Sequence, residues 1–236
     1  MISVIIPAHN EAANLANLLP HIKGLKQYES TEIIVVLSKD TQDKSIQVCS
    51  RYGVHWYQSS VTGRAAQLNL GALHAKGKYL AFLHADVWPP SSFFTDIKET
   101  LEGTSEAGFF SYQFNKNSFL LNINSKFTKK DGIFTGGGDQ CLFIRASVFK
   151  KLHGFDENQV IMEDFEFFRR MKQQKIRYTI IPNNLMVSAR KYETNSYLKV
   201  NLSNLLLVVL FKIGYPAVKL KRLHSKLIST PYAARK

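Results

Sequence analysis

The sequence predicts an α/β protein: a Rossmann-like, mostly parallel sheet flanked by helices, with a helical appendage at the carboxyl end. Two observations carry this reading. Short apolar, β-branched runs alternate with segments of helical periodicity from Ser3 to Ala85. Each run also closes in polar residues, as strands do when their carboxyl ends face a ligand crevice. With 236 residues, 45% of them hydrophobic, the chain is long enough to bury one substantial core.

Ser3–Ala8 (SVIIPA) reads as the first strand, closed by proline. After it, Leu15, Leu18, Leu19, Ile22 and Leu25 recur at helical spacing, with Asn10 the expected N-cap and Pro20 an expected kink. Glu32–Ser38 is the second strand, a helix follows near Lys44–Tyr52, and Val54–Ser59 is the third strand. Ala65, Leu68, Ala72 and Ala75 mark one helix face before the fourth strand, Tyr79–Ala85. Next comes a helix capped by Ser91 or Ser92 and ended by Gly103, then a strand at Ala107–Asn115 and a helix at Phe119–Lys130. Thr135–Arg145 is a glycine-rich turn entering a strand, and Ile161–Gln174 is a helix whose Phe165, Phe168 and Met171 form a buried stripe.

The polar strand ends are HNE (His9–Glu11), SKD (Ser38–Asp40), TGR (Thr62–Arg64) and HAD (His84–Asp86). Either four loops converge on one binding rim, or these are ordinary solvated ends. Asp86 sharpens the choice, because a carboxylate after so apolar a run must cap a turn or meet a cation. Gly136, Gly137 and Gly138 suit backbone that passes close to a ligand, and equally a plain flexible loop. Glu163 and Asp164 at a helix start interact favourably with its dipole; the same placement favours the ionised form that a general base needs.

An excess of 31 Lys and Arg over 18 Asp and Glu gives a formal charge of +13 and favours a polyanionic partner. Nucleic acid, an acidic membrane surface and a phosphorylated small molecule all satisfy it. Cys49 and Cys141 are too few and too isolated for a disulfide framework or zinc cluster, which points to a reducing, cytoplasmic setting. No basic stretch leads into an apolar run at the amino terminus, so no secretory signal is expected.

Taken in order, VIIPAHNE, GRAAQLNLGALHAKGKYLAFLHAD, GGGDQCLFIR, HGFDE and MEDFEFFRRM resemble the family 2 glycosyltransferases of GT-A fold, in the branch whose metal motif reads His-Ala-Asp. The likeness runs from about Ser3 to Arg190 and implies a GT-A domain over 1–192, with residues 193–236 a basic helical segment. It implies transfer of a sugar from a nucleoside-diphosphate sugar to a hydroxyl acceptor, with inversion and with Mn2+ or Mg2+. By the same resemblance Asp86 is the metal ligand, and Asp164 is the catalytic base with Glu163 beside it. Pro7, Ala8, His9, Asn10, Glu11, Ser38, Arg64 and His84 contact the nucleotide, while Gly137, Gly138, Asp139 and Gln140 border donor sugar and acceptor. His84 stands where many relatives carry an Asp, and a spacer histidine is the competing reading. For Arg64 the competing reading is a solvated surface residue. Relatives carry an acid directly after the second strand, whereas here Leu37 and Ser38 precede the first acid, Asp40. This departure bears on the donor base; a UDP-sugar remains the first expectation and a GDP-sugar the second.

Leu205–Phe211 (LLLVVLF) is interrupted by polar neighbours before reaching the roughly 20 apolar residues that span a bilayer. With Lys212, Lys219, Lys221, Arg222 and Lys226 following, it suits a helix on an anionic leaflet at the inner face of the membrane, which would make the acceptor lipid-linked. A helix packed on the domain or in a homodimer contact fits equally. Two other functions stay open: a nucleotide-binding scaffold without turnover, encouraged by His84, and a basic nucleic-acid-binding protein. The latter explains the charge and none of the ordered motifs, so no nucleic-acid partner is expected.

Overall fold

A computed structural model describes residues 1–228; residues 229–236 of the basic tail lie outside the described residues. In chain order the elements are β1 (Ile2–Ala8), α1 (Ala12–Lys23), β2 (Thr31–Leu37), α2 (Ser45–Arg51), β3 (His55–Gln58), α3 (Arg64–His74), β4 (Tyr79–Phe82) and β5 (Val87–Trp88). They continue with α4 (Phe93–Glu102), β6 (Ala107–Phe114), α5 (Phe119–Phe127), β7 (Phe143–Arg145), α6 (Ala146–Lys151), α7 (Glu163–Gln173), β8 (Tyr178–Val187), α8 (Tyr197–Lys212) and α9 (Ala217–Leu227).

The described strands form one eight-stranded sheet in the order β3-β2-β1-β4-β7-β6-β8-β5. β1 pairs in parallel with β2 and β4, β2 with β3, and β6 with β8; β7 lies antiparallel between β4 and β6, and β5 antiparallel to β8. Period-two alternation divides the strands between two cores. Val4, Ile6, Val35 and Ala81 pack with α1 and α4 on one face, while Ile5, Leu80, Phe82 and Phe109 pack with α3, α6 and α7 on the other. Helices therefore cover both faces, which is why β1 and the end of β2 read as continuous apolar runs.

Several local expectations are corrected. Asn10 is not the N-cap; Glu11 holds that position, and Asn10 leaves the strand in a left-handed conformation (φ 55°). Its side-chain oxygen accepts from Gln42 N (2.8 Å) and Asp43 N (3.3 Å), which secures the second loop. Helix α1 continues through Pro20 to Lys23. Proline donates nothing to the Ala16 carbonyl, and the Tyr52 hydroxyl does so instead, at 3.2 Å. Ser92 occupies the N-cap of α4, yet its hydroxyl bonds the Asp96 carboxylate rather than the backbone. The fourth strand ends at Phe82, three residues early, and the buried stripe of α7 is Phe167, Phe168 and Met171. Phe165 turns the other way, toward Phe211 of α8.

The carboxyl-terminal helices form a small cluster of their own. Leu207, Phe211 and Leu220 are buried against Ile161, Met162 and Phe165, so α8 and α9 sit against the entry to α7. Among the described residues no helix is long and apolar enough to cross a membrane.

Gly108 on β6 lies beneath the Phe143 ring of β7: a Cβ there would stand 2.2 Å from Phe143 Cζ and 2.9 Å from the Thr179 carbonyl oxygen. Gly108→Ala is expected to lower unfolding stability by about 1–3 kcal/mol, the usual cost of overpacking. Gly103→Ala, whose Cβ would come no closer than 3.4 Å to its neighbours, serves as the control in the same urea titration.

Candidate active site

Strand directions bring the polar segments together. β1, β2, β3, β4, β6 and β8 all end at one rim, and β7, running oppositely, begins there. The loops after β1 and β2 are tied by His9 Nδ1 to Ser38 Oγ (2.6 Å) and by Ser38 N donating to the Ala8 carbonyl (2.8 Å). Pro7 and Ala8 are buried sheet residues, and the Ala8 carbonyl also accepts from Gln67 Nε2 at 3.0 Å. His9 and Asn10 are exposed on the rim, while the Glu11 carboxylate accepts from Asn14. Asp43, which the sequence did not single out, accepts from Ala12 N at 2.8 Å and fixes the start of α1.

At the centre stands Arg64, the first residue of α3. Its Nε donates to Glu163 Oε1, its Nη2 lies 3.3 Å from Asp164 Oδ2, and its Nη1 lies 3.3 Å from His84 Nε2. With Nε2 accepting, the imidazole proton rests on Nδ1, which faces Asp139 Oδ1 at 3.6 Å. Asp139 in turn lies 4.0 Å from Lys191 Nζ, and Asp86 Oδ2 lies 3.3 Å from Arg190 Nη2. Predicted residues from four segments thus form one polar network. Arg190 and Lys191, which the sequence reading missed, complete it. They follow β8, and applying the strand-end rule to SARKY would have found them.

The glycine loop shows why it carries no side chains. A Cβ on Gly136 (φ 93°) would lie 2.7 Å from the Phe168 ring. One on Gly138 would fall 2.5 Å from the His84 ring and 2.7 Å from Asp164 Oδ2. Gly137 and Asp139 stand beside this opening, whereas Gln140 is buried and braces the loop by accepting from Gly136 N (2.9 Å).

These contacts set the ionisation of the acids. Burial pushes the Asp164 carboxyl up to about 6; the Arg64 guanidinium opposes the rise and neighbouring Glu163 adds to it. Burial would lift Glu163 as well, but its direct bond to Arg64 holds it below its usual range. Asp139 is likewise kept well below the carboxylate range, against burial, by His84, Lys191 and Arg64. The pair Glu163 and Asp164 is therefore split into a fixed anion and a carboxyl that titrates near neutrality, an arrangement suited to moving a proton.

No group of three or more His, Cys, Asp or Glu among the described residues could enclose a metal. A closed protein cage for a divalent cation does not fit this site. A hard cation held by one carboxylate, and otherwise by phosphate oxygens and water, fits at the partly open Asp86 once that carboxylate exchanges its ion pair with Arg190 for the metal.

A parallel-sheet rim that gathers Arg64, Arg190 and Lys191 around four carboxylates, Asp86, Asp139, Glu163 and Asp164, has the layout of an enzyme site of α/β type. The chain matches Glycosyl transferase family 2 over residues 3–177, and it belongs to that family. Among solved structures, residues 1–349 of TarS from S. aureus share 16% identity at a TM-score of 0.65, with 96% of this chain and 70% of that chain covered. The mannosyltransferase PcManGT from Pyrobaculum calidifontis, solved with GDP-Man and Mn2+, shares 15% identity at a TM-score of 0.67, covering 94% and 69%. The chain spans 42% of the longer TarS structure. No curated protein sequence matches it. At these identities the structural likeness establishes the GT-A fold, and the family match establishes a glycosyltransferase.

Replacing Arg64 with Gln removes the cation that favours ionised Asp164, so this carboxyl is expected to titrate higher than about 6, by one unit or more. Carbon-detected NMR of the Asp164 carboxyl measures it. An unchanged midpoint would place the guanidinium away from Asp164 in solution.

Proposed function

We propose that the protein is an inverting, metal-dependent glycosyltransferase that moves a sugar from a nucleoside-diphosphate sugar to the hydroxyl of a lipid-linked acceptor. UDP-sugar stands ahead of GDP-sugar as the donor; structures similar to this chain include TarS in complex with UDP-GlcNAc and PcManGT in complex with GDP-Man and Mn2+. The observation that carries the reading is Asp164: a carboxyl held near neutrality, at the glycine loop, with a guanidinium fixing its position.

In this mechanism the acceptor oxygen attacks the anomeric carbon on the face opposite the diphosphate. The new carbon–oxygen bond forms as the bond to the diphosphate breaks, the electron pair leaves with phosphate, and the acceptor proton passes to Asp164. Glu163 stays ionised and anchors Arg64, which keeps the base oriented. Arg190 and Lys191 supply positive charge where the departing diphosphate accumulates its negative charge. Mn2+ or Mg2+ held at Asp86 would neutralise that same charge as a Lewis acid. His9, Ser38 and His84 border the nucleotide, and Gly137, Gly138 and Asp139 border the transferred sugar.

A scaffold that binds nucleotide without turnover is the second reading, favoured by Arg190 lying against Asp86. Thermal-shift measurements with UDP-, GDP-, CMP- and dTDP-sugars, with and without Mn2+, separate the two when paired with a transfer assay. One nucleotide class is expected to stabilise the wild type only with metal, and Asp86→Ala is expected to lose that stabilisation. Asp164→Asn should retain donor binding and lose transfer by at least about 100-fold. Transfer by the wild type should fall as the pH drops through about 6, because protonated Asp164 cannot accept the acceptor's proton. Donor binding without any transfer would favour the scaffold, and transfer by Asp164→Asn would move the base elsewhere.

A further inference from the structure

Helix α8 is apolar on both faces. Val200, Leu207, Val208 and Phe211 are buried against the protein, yet Leu198 (68% exposed), Leu202 (62%), Leu205, Leu206, Val209 and Ile213 (73%) face outward. Residues 198, 202, 205 and 209 recur at helical spacing, so these side chains make a continuous stripe. A helix apolar all round needs cover on every side, and at 16 residues this one is too short to cross a bilayer.

A second helix extends the stripe. Asn124 of α5 donates to Asn201 of α8 (2.9 Å) and accepts from the Tyr197 hydroxyl (2.7 Å), which holds the two helices side by side. Leu120 and Phe127 (74% exposed) stand one turn on either side of Asn124, as Leu198 and Leu205 do about Asn201. Exposed Ile133 and Phe134 then lead directly into the glycine loop. An apolar area of this kind marks an interaction surface.

Charge selects the occupant. Segments 116–134 and 193–228 carry ten Lys and Arg against two acids, Asp131 and Glu193. Asp131 is already paired with Lys172 (3.1 Å). Lys116, Lys126, Lys129, Lys199 and Lys212 are all exposed. A second copy of the chain would set these cations against their equals, whereas an anionic bilayer supplies both hydrocarbon for the stripe and counter-charge for its border. We infer that the exposed apolar face of α5 and α8, with the Ile133–Phe134 segment, is a docking surface for an anionic lipid bilayer. Both helices follow strands, β6 and β8, that end at the active-site rim, so docking sets the site opening beside the headgroups. The inference deepens the proposed transfer to a lipid-linked acceptor, and rests on that reading only for its purpose.

The test is flotation of the whole chain with phosphatidylcholine vesicles, with and without phosphatidylglycerol, alongside the donor thermal shift. Binding is expected to require the anionic lipid and to weaken with salt. Leu202→Glu and Phe127→Glu should each reduce it by about tenfold or more while donor binding stays unchanged. Lys199→Glu combined with Lys212→Glu leaves the packed faces intact and should also weaken binding. Failure to float with anionic vesicles, equal binding to neutral ones, binding unaffected in all three variants, or a dimer in light scattering that Leu202→Glu abolishes would each overturn the surface. Flotation without donor binding would instead refute the transfer reading and leave the surface standing.

Discussion

Arg64 leaves the first turn of α3 to meet two carboxylates on the first turn of α7, 99 and 100 positions further along the chain. The guanidinium does more there than hold two elements together. Alone, Glu163 and Asp164 would share the fate of adjacent buried acids, each opposing ionisation of the other. Arg64 breaks the symmetry by bonding Glu163 closely and Asp164 at 3.3 Å, and its remaining nitrogen sets the tautomer of His84. Buried polar groups in such a network need every member satisfied, since an orphaned charge costs far more than a matched one contributes. Tyr79 Oη is the single buried side-chain polar atom without a partner among the described residues, and it lies on β4 at the end remote from the rim.

How much of this was legible in the sequence depended on the range of the interaction. Strands β1, β2 and β4, largely buried on both faces, were visible because apolar runs and β-branching are local properties, and Leu15, Leu18, Leu19 and Ile22 proved buried as their spacing predicted. What went astray was decided by distant partners. Phe165 fits a stripe with Phe168 and Met171 by spacing alone, but α8 supplies a second surface that draws it aside. Asn10 has the chemistry of an N-cap, and the backbone of Gln42 and Asp43 competes for its oxygen more effectively. The carbonyl that Pro20 leaves unpaired is likewise satisfied from a distance, by the Tyr52 hydroxyl, at which nothing local hints.

The site divides in the same way. Asp86, Arg64, His84, Asp139 and Asp164 could be named from motifs, since each sits in a short segment of recognisable order. Their mutual arrangement could not, for it follows from the sheet order and not from any one segment. Arg190 and Lys191 escaped notice because they stand outside those motifs, after a strand whose Pro182, Asn183 and Asn184 dilute the apolar signal. Their basic pair still obeys the rule that ligands lie beyond strand ends.

The reversed strand β7 has a consequence for how such a site can diversify. The glycine loop enters a strand instead of leaving one, so its far end is pinned by the pairing of Phe143 with Ala81 and Gly108, while the segment before it is tied to β6 by Thr128 and to β8 by Asp131. Chain inserted at the exposed tip, Gly132 to Phe134, therefore lengthens the approach to the loop without shifting the register that positions Gly138 against His84. The loop behaves as a shelf fixed at both ends and open at its tip. The tip can be rewritten while the Asp164 carboxyl behind Gly138 stays where it is.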